Sequence, residues 1–117
     1  MQKLLSAKIV AKVAREELTC INPLSVATNS KLKKRLCIDL SRKYNGVSQA
    51  KKFRIESTRE ALQVIRRGDW MFSFDLKSAY LMIPVHPRFT RYLGFAVEEE
   101  DGSRSYYRYL MLPLGIN

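Results

Sequence analysis

The stretch Trp70-Met71-Phe72-Ser73-Phe74-Asp75-Leu76-Lys77-Ser78-Ala79-Tyr80-Leu81-Met82-Ile83-Pro84-Val85-His86-Pro87 decides how the chain is read. Its first half is apolar and aromatic and ends in a single carboxylate. That composition predicts a buried strand over Trp70 to Phe74. A carboxylate inside a core is costly unless it is paired or holds a cation, so Asp75 is expected at the strand's exit. Lys77 to Met82 leaves room for one helical turn before Pro84 stops it. Two readings of Asp75 stand side by side: a side-chain cap for that turn, or a ligand for a metal ion.

Working outward, Ser57-Thr58-Arg59-Glu60 has the pattern of a capping box and opens a helix. Ala61, Leu62, Val64 and Ile65 would give that helix an apolar face, and Arg66-Arg67-Gly68-Asp69 would end it. Further upstream, Pro23 to Thr28 and Arg35 to Leu40 read as strands around the lysine-rich turn Asn29 to Lys34, which predicts a β-hairpin. Asp39 is read as a structural partner for a nearby base. Ser41 to Phe53 reads as a basic loop with a turn at Asn45-Gly46. Downstream, Arg91 to Val97 and Tyr106 to Leu112 form a second hairpin around the acidic turn Glu98 to Ser103. The first eighteen residues fit either a helix or a short helix followed by a strand at Lys8 to Val13. Lone His86, between two prolines, reads as an exposed loop residue.

The chain has 117 residues and reads as one domain at most. Its 21 Lys and Arg against 11 Asp and Glu give a net charge of +10, which suits a polyanionic partner. Cys20 and Cys37 have no metal-ligand spacing and read as ordinary reduced thiols. No apolar run reaches membrane-spanning length and no signal peptide is evident. These features lead to the expectation of an intracellular protein, cytoplasmic or nuclear, not secreted and without a membrane partner.

Phe74-Asp75-Leu76-Lys77-Ser78-Ala79-Tyr80-Leu81-Met82-Ile83-Pro84-Val85-His86-Pro87 closely resembles the first catalytic-aspartate motif of retroelement reverse transcriptases. Two other segments match that family in order. Asn22 to Val26 and Lys34 to Leu40 resemble its fingers hairpin, and Tyr109 to Asn117 resembles the start of its template-gripping motif. The resemblance spans about residues 20 to 117 and has a retrotransposon character. It implies an α/β (α+β) fold: the fingers and partial palm of a right-hand polymerase, with antiparallel hairpins and packed helices, filling residues 1–117 as a partial reverse transcriptase domain.

The same resemblance implies roles residue by residue. Asp75 would be catalytic and a metal ligand, with the backbone carbonyl of Leu76 beside it. Arg35 would grip the triphosphate, and a guanidinium suits that task because it binds oxygens bidentately and keeps its charge. Tyr80 would lie under the sugar and exclude a 2′-hydroxyl, although ordinary core packing is its other reading. Leu114 and Gly115 would line the nucleotide pocket, and Lys33 and Lys34 would face nucleic acid. The implied partners are an RNA template, a DNA primer, a deoxynucleoside triphosphate and the C-terminal palm of the same polyprotein. The implied cofactor is Mg²⁺ or Mn²⁺, two ions in the full-length enzyme, stabilising attacking and leaving oxygens. In the family the partner carboxylates lie on a later hairpin with adjacent aspartates, and no Asp-Asp pair occurs here. The chain alone is therefore expected to be inactive. The other function read from the sequence is a catalytically dead nucleic-acid-binding remnant of a decayed element.

Overall fold

Phe95 is fully buried in the core against the rings of Tyr107 and Tyr109, with centroids 5.6 and 5.4 Å away. The computed structural model describes residues 1–28, 32, 34–46, 48–49, 52 and 54–116. Its elements, in chain order, are helix α1 (Gln2–Ser6), strand β1 (Val10–Val13), a 3-10 turn (Arg15–Glu17), β2 (Leu24–Thr28), β3 (Lys34–Ile38), α2 (Thr58–Val64), a 3-10 turn (Ala79–Met82), α3 (Pro87–Thr90), β4 (Gly94–Glu98) and β5 (Arg104–Tyr109). The fold is mixed α/β, with antiparallel sheets and few helices. No described helix is long and apolar enough to cross a membrane.

Both hairpins read from the sequence are present. β2 pairs with β3 in an antiparallel ribbon from Leu24↔Ile38 to Thr28↔Lys34. Its tip residues 29–31 and 33 lie outside the described residues. β4 and β5 pair from Gly94↔Arg108 to Glu98↔Arg104, and β1 adds to β5 through Val10↔Tyr109. The N-terminal ambiguity resolves as helix then strand. Lys8 makes the reversal between α1 and β1 at a positive φ of 53°.

The core follows from strand alternation. Tyr107 and Tyr109 share one face of β5 and pack with Val10, Leu93 and Phe95, and the hairpin contributes Ile38 and Leu40. Asn22, fully buried, locks the incoming chain onto β4. Its backbone amide donates to the Gly94 carbonyl at 2.8 Å, and its side-chain Nδ2 donates to Tyr92 and Gly94 carbonyls at 2.9 and 3.0 Å. Gly94 is required by that crossing: an added Cβ would lie 2.6 Å from the Cys20 carbonyl and 2.7 Å from Leu18 Cδ1.

Several expectations need correction. Trp70 to Phe74 form no strand. Trp70 is 100% exposed, Phe72 88% and Phe74 78%, and Phe72 stacks on Phe74 with centroids 6.2 Å apart. Strand propensity reflects fit to a half-buried pleated surface, and among the described residues neither sheet offers this segment a ladder. A radius of gyration of 18.4 Å, against roughly 13 Å for a compact chain of this length, reflects how open the molecule is. Helix α2 opens as expected, with the Glu60 carboxylate accepting from the Ser57 amide at 2.6 Å and also pairing with Arg54. It ends earlier than expected, at Val64, because Ile65 is already extended. Its apolar residues Leu62 and Val64 are exposed, not packed. Asp39 is held chiefly by Ser41, accepting from its amide at 3.0 Å and its hydroxyl at 2.5 Å, and the nearby base Arg42 adds a smaller charge attraction. Those bonds, the hydroxyl's first, hold its carboxyl below the usual range. His86 is exposed as expected, and its Nδ1 accepts from the Arg88 amide at 3.3 Å to cap α3.

Candidate functional site

The ribbon β2–β3, the N-terminal end of α1, the 3-10 turn Ala79–Met82 and the segment after β5 line an open cleft of about 740 Å³. Backbone pairing brings the last two together. Val85 donates to the Leu110 carbonyl at 2.8 Å, and Leu112 donates to the Ile83 carbonyl at 2.8 Å, around a bridge between Pro84 and Met111. The stretches Ile83–Val85 and Leu110–Leu112 are therefore adjacent strands in miniature. Ser78 precedes them in the left-handed region, at φ 57°. A non-glycine residue there stores roughly 1–3 kcal/mol, and the reversal leads into the turn that carries Tyr80.

Four of the residues singled out in the sequence line this cleft: Lys34 and Arg35 from β3, Tyr80 from the turn, and Leu114 from the segment after β5. Tyr80 is 52% exposed and Leu114 64% exposed, so neither is spent on core packing. For Tyr80 the core-packing reading is thereby set aside. Gly115 does not line the cleft; it follows Leu114 at φ 94°, and its carbonyl accepts from Asn45 Nδ2 at 2.8 Å. That bond ties the basic loop to the segment after β5.

The other predicted site residues are not brought in. Asp75 and Leu76 are exposed and do not line the cleft. Asp75 does not cap the following turn either, since Ser78 is its N-cap residue. Both departures share the cause given above: without a strand over Trp70 to Phe74, nothing aims Asp75. Lys33 lies outside the described residues. A two-ion magnesium centre needs several oxygen ligands. The described residues contain no group of three His, Cys, Asp or Glu that could hold a metal ion. Asp75 with the Leu76 carbonyl does not fit such a centre.

Pro113, in the same matched segment as Leu114, lines the cleft too, whereas sequence reading gave no site role to Cys37 and Tyr109 or to Met1, Lys3 and Leu4 at the N-terminus, which also line it. Cys37 is a free, exposed thiol. Burial pushes the Tyr109 hydroxyl's pKa up, and the nearby Cys37 adds to the shift. The available signal was strand register: Arg35 and Cys37 are two apart on β3 and so share a face.

No protein-family model matches the chain, and no curated protein sequence matches it.

Proposed function

We propose that the chain is the fingers and first palm segment of a retrotransposon RNA-directed DNA polymerase, and that its cleft receives the deoxynucleoside triphosphate. The observation that carries this reading is the convergence of Lys34, Arg35, Tyr80 and Leu114 on one cleft. The resemblance assigns three of them to the nucleotide and Lys34 to the nucleic acid. Arg35 supplies a permanent, fork-shaped cation for phosphate oxygens. Tyr80 supplies a ring edge that discriminates a sugar by shape. The net charge of +10 suits a template–primer duplex alongside. Asp75 and Leu76, which lie outside the cleft and do not by themselves make a metal centre, carry no step in this reading. The alternative, a non-catalytic nucleic-acid-binding remnant, shares the basic surface and does not need the nucleotide cleft.

A salt titration of affinity for an RNA–DNA hybrid tests the reading. Replacing Lys33, Lys34 and Arg35 together by alanine should flatten the dependence of log affinity on log salt, by about 0.7–0.9 for each phosphate that these side chains neutralise. Asp75→Ala should not weaken binding, since it removes a negative charge. Unchanged slopes in the triple variant would remove the fingers assignment. Primer extension by the chain alone on an RNA template with magnesium should be undetectable, and measurable synthesis would overturn the incomplete-centre reading. Saturable binding of a deoxynucleoside triphosphate separates the polymerase segment from the remnant.

A further inference from the structure

Arg108 and Tyr109 are neighbours on β5, so their side chains leave opposite faces of the sheet. Tyr109 borders the cleft just described, whereas Arg108 lines a second one of about 710 Å³. This second cleft lies between the 3-10 turn Arg15–Glu17 and α3, and Arg88, Arg91, Phe89 and Tyr92 also line it. The two clefts share no lining residue.

The guanidinium of Arg108 is under-satisfied. Its Nη1 lies 3.6 Å from Glu17 Oε2, and its Nε is buried with no hydrogen-bond partner among the described residues. Glu17 is itself divided, because its Oε1 accepts from the Ala14 amide at 3.0 Å. A buried donor without an acceptor is costly, and such a group calls for an explanation. Arg91 is positioned by its Nε bond to Thr19 Oγ1 at 2.5 Å, with its guanidinium 6.0 Å from the Tyr92 ring. Arginines outnumber the two glutamates of the lining, Glu16 and Glu17. That surplus of positive charge suits an oxyanion, which would meet the accessible part of the Arg108 side chain and not its buried Nε. A carboxylate is satisfied by one guanidinium fork, whereas a phosphate group has oxygens for more than one. The cleft is far larger than a bare phosphate, and Phe89 and Tyr92 offer rings against which a flat base can lie.

We propose that this second cleft binds a nucleoside phosphate, with Arg88 and Arg108 on the phosphate and the Phe89 and Tyr92 rings beside the base. The site is independent of the polymerase reading. The ligand is either a free nucleotide or a nucleotide unit of a strand, and the test separates these sources.

The test follows the Arg108 Nε–Hε resonance in the ¹⁵N-labelled full chain, assigned by its disappearance in Arg108→Lys. Adenosine monophosphate, inorganic phosphate and a 5′-phosphorylated single-stranded oligonucleotide are titrated separately, with sodium chloride at matched ionic strength as control. Adenosine monophosphate should give a saturable shift at roughly tenfold lower concentration than phosphate, a difference of about 1.4 kcal/mol. Arg88→Gln should weaken that binding several-fold with the backbone spectrum unchanged, and Arg35→Ala should leave it intact. Tighter binding of the oligonucleotide assigns the site to a strand, and tighter binding of the monophosphate assigns it to a free nucleotide. A linear shift equal to that in sodium chloride would overturn the site. Phosphate binding as tightly as the monophosphate would overturn the nucleotide assignment. Loss of the shift in Arg35→Ala, with Arg88→Gln unaffected, would move the binding to the other cleft.

Discussion

Arg35 on β3 and Tyr80 on the 3-10 turn Ala79–Met82 line one cleft, although they belong to segments that share no secondary-structure pairing. The relationship separates charge from shape. Arg35→Ala should weaken deoxynucleoside triphosphate binding by roughly tenfold, or about 1.4 kcal/mol, and Arg35→Lys should restore only part of it because the fork is lost. Tyr80→Ala should leave affinity for the deoxynucleotide nearly unchanged while raising affinity for the ribonucleotide, and Tyr80→Phe should behave as wild type. Competition binding with both nucleotides measures this, and equal effects of Tyr80→Ala on the two sugars would sink the sugar-selection role.

Stability should depend on the crossing at Gly94. Gly94→Ala places a methyl group within 2.6 Å of the Cys20 carbonyl, a backbone atom that cannot swing aside. Overpacking of this kind costs about 1–3 kcal/mol. Phe95→Ala empties a fully buried core position against Tyr107 and Tyr109 and should cost about 3–5 kcal/mol. Urea unfolding measures both, and a neutral Gly94→Ala would show that the chain can pass β4 at a greater distance.

The Tyr109 hydroxyl gives a pH signature. Its pKa is raised above the ordinary 10.0, first by burial and then by the nearby Cys37. The unfolded chain releases this proton at lower pH than the folded one, so above that ordinary value the unfolded state binds fewer protons. Tyr109 therefore contributes stability that is fully present below the unfolded pKa and is lost as pH rises through the folded pKa. Tyr109→Phe should flatten the alkaline fall in melting temperature. An identical fall in wild type and variant would remove this role.

Trp70 reports on the segment that did not become a strand. It is the chain's only tryptophan and is fully exposed. Its fluorescence should peak where indole in water emits and should be quenched by iodide as readily as a free tryptophan analogue. The neighbouring exposed Met71, Phe72 and Phe74 form an apolar run that invites association. Emission should shift to the blue as protein concentration rises, and Phe72→Ser with Phe74→Ser should suppress that shift. A blue-shifted, unquenchable signal in the dilute monomer would mean that the segment is buried.

The local elements were legible because their signals are local. The hairpins announced themselves by β-rich runs around polar turns, with Glu98 to Ser103 at one tip. Glu60, three residues after Ser57, marked the start of α2. Arg35, Tyr80 and Leu114 were legible as candidates through the motifs that contain them. What residues 70–76 would do was not legible. An apolar run states that a surface should be buried, but a strand also needs a ladder partner, and only the tertiary arrangement supplies or withholds one. The same holds for Asp39, whose carboxylate took the hydroxyl two residues away. It holds for Asn22 and Gly94 as well, a pairing across 72 residues that no local pattern encodes. The two clefts are tertiary products too. β5 puts Tyr109 and Arg108 on opposite faces, and which segments fold over each face is decided by packing around Phe95.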